Sequence, residues 1–288
     1  MVRAKFIIAD IIPLPEELRT RYNIVQLPHP LTVDGVEYPN NALPFSTAEF
    51  GRMLLAGGHT FETSVTPPPV YAAEYRRTPP GEPIFAICFS PKLGAFHEAA
   101  RSAAAECPDR DITVIPTRFC PPVMTLWALL AGGLAETAAD AAALKAAVLG
   151  LGERLGVYHA LFSLEYLHQT GRLNTAKALI GRMLKLVPIV TNDAEGYIVP
   201  AAKTRLIAKS LERICVLVAA DRDRLGGGAV DVLVTWTGSE TNGRLLRDLV
   251  MQRLSVRTRH FLAGGYSILH YLGPEAAGLA YHVAPAGA

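Results

Sequence analysis

The sequence has no excess of either charge. In 288 residues, 28 Lys and Arg face 26 Asp and Glu, so the net charge is +2. Proteins that bind nucleic acid or an anionic membrane surface carry a basic excess, and this balance shows none. Only 19% of the residues are charged, whereas 50% are hydrophobic. Such a chain can bury a large core, which excludes wholesale disorder.

Cysteine pairs and long apolar runs are also lacking. The cysteines form no C-x-x-C pair and lie at no zinc-ligand spacing with histidine, so free thiols in a reduced compartment are favoured. They are Cys88, Cys107, Cys120 and Cys215. The first apolar run ends at Asp10, which is too short for a signal peptide. No stretch approaches the ~20 apolar residues of a membrane helix. We therefore expect a cytoplasmic protein without a membrane span.

Catalytic and metal-binding motifs are missing as well. The sequence contains no G-x-S-x-G elbow, which leaves a hydrolase triad without support. Residues 226–228 are three glycines, but no lysine and hydroxyl pair follows them as in a phosphate loop, so a flexible linker is favoured. The histidines fall in no metal motif, and His159 and His168 are better explained as core or surface residues. We expect no metal and no catalytic residue.

The first half of the chain has the pattern of an α/β domain. Short apolar runs predict buried strands at residues 5–10, 83–90 and 111–117. Helices are predicted over residues 95–106 and 123–137. Alternating strands and helices favour parallel strands covered by helices.

The pattern changes after Gly156. Residues 187–200 read as a hairpin with a polar turn, and residues 204–221 as a long amphipathic helix. We therefore predict two domains, an N-terminal α/β domain over residues 1–156 and a mixed α/β domain over residues 157–288.

Three polar clusters interrupt apolar surroundings. They are Thr63 with Ser64, then Ser90 after the strand at 83–90, and His270. Ligands of open α/β sheets bind beyond the carboxyl ends of strands, which is where Ser90 is expected. Hydroxyls and an imidazole can bind carboxylate or phosphate oxygens. The plainer alternative is that the hydroxyls cap helices and His270 packs in the core.

Six segments carry a more specific pattern. The longest, residues 164–188, is close to Leu-x-Tyr-Leu-x-x-Gly-Gly-Arg-Ile followed by Leu-Leu-x-Ile-Lys-Pro. The others are IIADIIPLP at 7–15, ETSVTPPPVYAAEY at 62–75, residues 87–103, residues 203–205, and His270 with Gly273-Pro274. Taken in this order, the set resembles the DegV family of bacterial fatty-acid-binding proteins.

The resemblance implies a two-domain DegV-like fold with a long-chain fatty acid in a tunnel between the domains. It implies that the hydroxyls of Thr63, Ser64 and Ser90, helped by His270, hold the carboxylate. Arg172 would lie near this head group or on a docking face. It implies a lipid-binding protein, not an enzyme, with the bound fatty acid as its only ligand. In some bacteria such proteins present the fatty acid to a separate kinase.

This chain departs from the family pattern near the head group. Ile11 and Ile12 replace a Ser-Thr pair after Asp10, Pro91 replaces a second serine, and residues 94–96 replace Ser-Gly-Thr. These changes imply weaker carboxylate binding, a different lipid, or replacement of a lost donor by His97.

Several assignments remain open at this point. A slot lined by residues such as Phe89, Leu93, Phe96 or Leu184 could hold the acyl chain, and the alternative is that these are ordinary core residues. Arg172, Arg182 and Lys185 place positive charge along one segment, which is either a solvated face or a docking surface.

Two functions compete with lipid binding. One is an enzyme that acts on a phosphorylated or carboxylated small molecule, with His270 as acid and base. This hypothesis lacks a paired carboxylate, an activated nucleophile and a metal motif. The other is a scaffold whose pocket has degenerated, which a filled cleft would favour.

Overall fold

The computed structural model describes residues 2–40, 42–173 and 186–287. Its strands are β1 Lys5–Ala9, β2 Ile24–Leu27, β3 Leu31–Val33, β4 Val36–Tyr38, β5 Phe61–Thr63, β6 Ile84–Cys88, β7 Ile112–Pro116, β8 Leu155–Ala160, β9 Val187–Asn192, β10 Ile198–Thr204, β11 Gly227–Trp236, β12 Val256–Ala263 and β13 Ala277–Pro285. Its helices are α1 Glu16–Tyr22, α2 Thr47–Ala56, α3 Pro68–Arg77, α4 Phe96–Ala105, α5 Pro121–Thr137, α6 Ala141–Gly150, α7 Glu165–Gln169, α8 Ile207–Arg224, α9 Thr241–Arg253 and α10 Tyr266–Leu272.

The first sheet is the parallel sheet that the sequence predicts. Its order is β2-β1-β6-β7, and each neighbouring pair is parallel. Strand β6 is buried along its whole length, and helices α4 and α5 pack against the sheet. A central strand that is covered on both faces consists of consecutive apolar residues, and residues 84–88 have this pattern.

The second sheet is mixed, with the order β10-β9-β8-β13-β11-β12. Only β11 and β12 pair in parallel among its described strands. Alternation along β8 divides its two faces: Val157 packs into the core shared with the first sheet, whereas Tyr158 packs into the core under α8 and α9. The inner face of this sheet therefore looks toward the N-terminal elements.

A three-stranded antiparallel sheet, β4-β3-β5, forms a smaller lobe. Helix α2 begins with a capping box, in which the Glu49 amide donates to the Ser46 hydroxyl at 3.2 Å and the Glu49 carboxylate accepts from the Ser46 amide at 2.8 Å. Phe50 of this helix shares a small core with Leu269 of α10. The lobe is thus joined to the C-terminal part of the chain.

The domain boundary predicted at Gly156 coincides with the second residue of β8, which begins at Leu155. The strands of the first and third sheets come from residues before this point, and those of the six-stranded sheet from β8 onward. The exact division into residues 1–156 and 157–288 stays a prediction.

The structure corrects the flexible linker predicted at residues 226–228. Gly227 and Gly228 begin β11, and Gly227 pairs with Pro285 of β13. A Cβ on Gly227 would lie 2.1 Å from Cγ1 of Val283, so only glycine permits this close approach. The glycines serve sheet packing here.

Two elements near the site, β5 and α10, have no counterpart in the sequence predictions. The chain after α7 is described only as far as Leu173 and again from residue 186, so Leu184, Arg182 and Lys185 lie outside the described residues. No helix within the described ranges is both long and apolar enough to span a membrane.

Candidate functional site

A cavity lies between the first sheet and the inner face of the six-stranded sheet. About 80 Å³ of it can hold the centres of water-sized molecules, and about 810 Å³ is free of protein atoms when the open solvent at its mouth is included. Apolar side chains from both halves line most of it: Phe89, Leu93, Phe96, Val157, Leu167, Val190, Ile198, Ile268 and Leu272. The first three of these are slot residues that the sequence named.

Polar side chains cluster where the cavity opens. Thr63 at the end of β5, Arg172 after α7 and Tyr271 of α10 border both the cavity and an exposed groove outside it. The hydroxyls of Thr63 and Tyr271 hydrogen-bond to each other, and the Arg172 guanidinium carbon lies 5.1 Å from the centre of the Tyr271 ring. A cation beside two hydroxyls is suited to binding an anion.

Ser64 also borders the cavity. Its carbonyl oxygen accepts a hydrogen bond from Nδ1 of His29 at 2.8 Å, and His29 lines the cavity too. Burial lowers the pKa of His29 to about 4, so this imidazole is neutral at pH 7. Thr63, Ser64 and Arg172, which the sequence singled out, therefore meet at one cavity.

His270 faces the groove and is not among the residues that line the cavity. Its ring centre lies 5.7 Å from that of Phe61 and 4.9 Å from that of Tyr271, and its buried Nδ1 has no hydrogen-bond partner. Burial, and secondly the charge of Arg172, lowers the pKa of His270 to about 4. The side chain is neutral at pH 7 and lies next to the mouth, so its role toward a head group stays a prediction.

Ser90 follows β6, as the sequence predicts, and its role toward a head group stays a prediction. It is fully buried after β6, and it is absent from the cavity lining. Its hydroxyl donates to the carbonyl oxygen of Gly196 at 2.9 Å and accepts from the amide of Lys92 at 3.2 Å. The physical reason is the β9–β10 turn, which approaches so closely that a Cβ on Gly196 would lie 2.3 Å from the serine oxygen. In this geometry Ser90 connects the two halves of the chain.

His97 lies in the first turn of α4, half-buried, and borders neither the cavity nor the groove. A role for it as a replacement donor stays a prediction. Three residues of the site were missed by sequence reasoning or set aside: His29, Tyr271 and the buried cavity residue His159. Only Tyr271 had a sequence signal, its position next to His270.

The described residues contain no group of three or more His, Cys, Asp or Glu side chains that could hold a metal ion. The cavity mouth and the groove outside it are lined by the guanidinium of Arg172, the hydroxyls of Thr63 and Tyr271, imidazoles and two carboxylates, Glu62 and Glu165. The guanidinium and the hydroxyls can bind and orient an anion.

A model of the DegV family, described as a family of uncharacterised proteins, matches residues 7–283. The chain belongs to the DegV family. A DegV domain-containing protein of Streptomyces coelicolor is 30% identical over 223 residues, which cover 75% of this chain and 76% of the relative. One from Mycobacterium tuberculosis is 26% identical over 212 residues, or 71% of this chain and 72% of the relative.

Solved structures of DegV proteins share the fold. A DegV family protein of Thermus thermophilus, described by its fatty acid binding, superposes with a TM-score of 0.88 at 25% identity, covering 98% of this chain and 100% of its own. A stearic acid-binding protein of Eubacterium ventriosum gives a TM-score of 0.85 at 19% identity, covering 97% of this chain and 98% of its own. The predicted family and the two-domain α/β fold are confirmed.

Proposed function

We propose that this DegV protein binds one long-chain fatty acid, with the acyl chain in the cavity and the carboxylate at the mouth. The observation that carries the proposal is the position of Arg172, a cation at the open end of a mostly apolar cavity. The Thermus thermophilus protein, described by its fatty acid binding, supports it at 25% identity over 98% of this chain.

The division between an apolar body and a polar mouth matches an amphiphile. Each CH₂ group removed from water contributes roughly 0.8 kcal/mol of binding free energy. Contact with apolar lining residues such as Phe89, Leu93 and Val190 would therefore stabilise a bound acyl chain. A carboxylate buried without partners is strongly disfavoured. A carboxylate at the mouth would lie near Arg172 and the hydroxyls of Thr63 and Ser64.

In this proposal the protein holds the lipid and catalyses no reaction itself. His270, the acid–base candidate, has a buried Nδ1 without a hydrogen-bond partner, and burial lowers its pKa to about 4. A carboxylate at the mouth would be accessible to a second cytoplasmic protein, and this supports presentation to a separate fatty acid kinase. The apolar lining that both halves of the chain contribute supports lipid binding over a degenerate scaffold.

The test is to recover and then replace the ligand. Protein purified from a bacterial host is extracted under denaturing conditions, and acyl species are identified by mass spectrometry. Delipidated protein is then titrated with stearate by calorimetry. We expect one acyl chain per protein, and saturable stearate binding with one site.

Val190→Trp supplies the decisive variant, because an indole at this lining position would fill the cavity. Val216→Trp is the matched control, since Val216 is 46% exposed on α8. We expect stearate binding to be lost in the first variant and kept in the second. The proposal is wrong if no acyl chain is recovered and stearate does not bind, or if Val190→Trp binds stearate like the wild type.

A further inference from the structure

His159 is a buried polar side chain on the wall of the cavity. It belongs to β8, lines the cavity, and is 3% exposed. Its Nε2 atom is buried and has no hydrogen-bond partner. Burial lowers the pKa of His159 to about 4, so the ring is neutral at pH 7 and has one donor and one acceptor nitrogen.

Two other polar side chains of the cavity wall, Thr191 and Asn192, are already paired with the protein. The Thr191 hydroxyl donates to the Val157 carbonyl oxygen at 2.8 Å. The Asn192 amide accepts from the Cys120 backbone at 3.0 Å, and its nitrogen donates to a carbonyl oxygen at 3.3 Å. His159 therefore stands out as a wall residue with unused hydrogen-bonding capacity.

The imidazole packs closely against the neighbouring strand. Gly278 of β13 is its partner across the strands, and a Cβ on that glycine would lie 2.0 Å from Cδ2 and 2.3 Å from Nε2 of His159. A side chain at position 278 would force the ring to move. The glycine thus lets the ring lie against the sheet at the cavity wall, with Nε2 buried and without a partner.

An unsubstituted acyl chain would leave Nε2 of His159 unpaired and would also displace any water from it. Buried polar groups without a partner are strongly disfavoured in proteins. A hydroxyl on the chain removes this penalty, and because it both donates and accepts it fits either neutral tautomer of histidine.

We propose that the preferred ligand is a fatty acid with a hydroxyl group along its chain, and that this hydroxyl hydrogen-bonds to Nε2 of His159. The inference rests on the proposed function, since it specifies which fatty acid the same cavity selects. His159 is then a specificity-determining residue, separate from the cation and hydroxyls at the mouth.

The test compares stearic acid with a series of positional isomers of hydroxystearic acid on delipidated full-length protein. We expect one isomer to bind at least tenfold more tightly than stearate. His159→Leu should abolish this preference while stearate binds at least as tightly as before, because leucine matches the apolar chain. Thr191→Val is the control, since its hydroxyl is already paired, and it should keep the preference.

The outcomes separate this inference from the function on which it rests. If stearate binds and no isomer is preferred, or if the preference survives in a folded His159→Leu protein, His159 does not select a hydroxylated chain. If neither stearate nor any hydroxystearate binds the wild type, the proposed function is wrong and this inference with it. Thermal unfolding of each variant confirms that binding is measured on folded protein.

Discussion

The guanidinium of Arg172 lies over the ring of Tyr271, 5.1 Å from its centre, while the phenol of the same tyrosine hydrogen-bonds to Thr63. Tyr271 thus connects the segment after α7 to the end of β5. The Arg172 side chain is further held because its Nη1 donates to the Thr170 carbonyl oxygen at 2.6 Å. Cation and hydroxyls are positioned before a ligand binds, which reduces the entropy lost on binding.

The first prediction concerns the charge at the mouth. Arg172→Met should weaken stearate binding by about 10- to 100-fold, because a hydrogen bond to a charged group contributes roughly 1.5–3 kcal/mol. Methyl stearate, which has no charge to pair, should bind the variant and the wild type about equally. Calorimetric titration with both ligands measures the difference.

Arg101→Met is the matched control, because Arg101 is exposed on α4 and borders neither cavity nor groove. It should leave the affinity for both ligands unchanged. Equal losses for stearate and its methyl ester in Arg172→Met would show that the arginine acts through packing and not through its charge.

The sequence predicted the parallel sheet and the hairpin of the C-terminal half because their signals are local. Strand β6 is a continuous apolar run, and the polar turn at residues 192–196 separates β9 from β10. Thr63 and Ser64 were singled out as a polar cluster and Arg172 as part of a positively charged segment, and the resemblance to the DegV pattern assigned all three to the head group or its surroundings. The structure brings them to one cavity.

What the sequence did not predict depends on long-range packing. The hydroxyl of Ser90 is directed to Gly196, 106 positions later, by the approach of the β9–β10 turn. Tyr271 reaches Thr63 across 208 positions because α10 packs on the small lobe. No periodicity or spacing in the chain reports such contacts, since they arise only when separate elements pack.

The second prediction tests the placement of Ser90. Ser90→Ala should lower the free energy of unfolding by about 1 kcal/mol, because it removes one buried hydrogen bond and leaves the Gly196 carbonyl oxygen without that donor. Stearate affinity should change less than twofold. Urea unfolding and calorimetry on the same preparation measure both quantities. A loss of stearate affinity with an unchanged free energy of unfolding would instead show that Ser90 contacts the head group.

The third prediction concerns acid stability. Burial lowers the pKa values of His29, His159 and His270 from 6.5 to about 4 in the folded protein. Between about pH 6.5 and 4 the unfolded chain therefore binds more protons than the folded one. The free energy of unfolding should therefore have its full value above pH 6.5. It should fall as the pH drops through this window, by up to about 1.4 kcal/mol per pH unit for each histidine.

Urea unfolding at a series of pH values from about 7.5 to 5 measures this slope. His29→Phe removes one of the three histidines. The free energy of unfolding of this variant should therefore fall less steeply with decreasing pH, by the contribution of one histidine. His59→Phe is the control, because His59 is exposed and pairs with Asp34 at the surface. Parallel slopes for the wild type and His29→Phe would contradict the assignment of acid sensitivity to buried neutral histidines.

The fourth prediction treats Thr63 and Tyr271 as one unit. Because their hydroxyls are hydrogen-bonded to each other, removing either one disturbs the other. Thr63→Val and Tyr271→Phe should each weaken stearate binding by about tenfold, and the double variant should lose little more than either single one. Tyr271→Phe keeps the ring under Arg172, so the loss reports the hydroxyl alone. Calorimetry on the four proteins completes the cycle, and additive losses would show that the two hydroxyls contact the carboxylate independently.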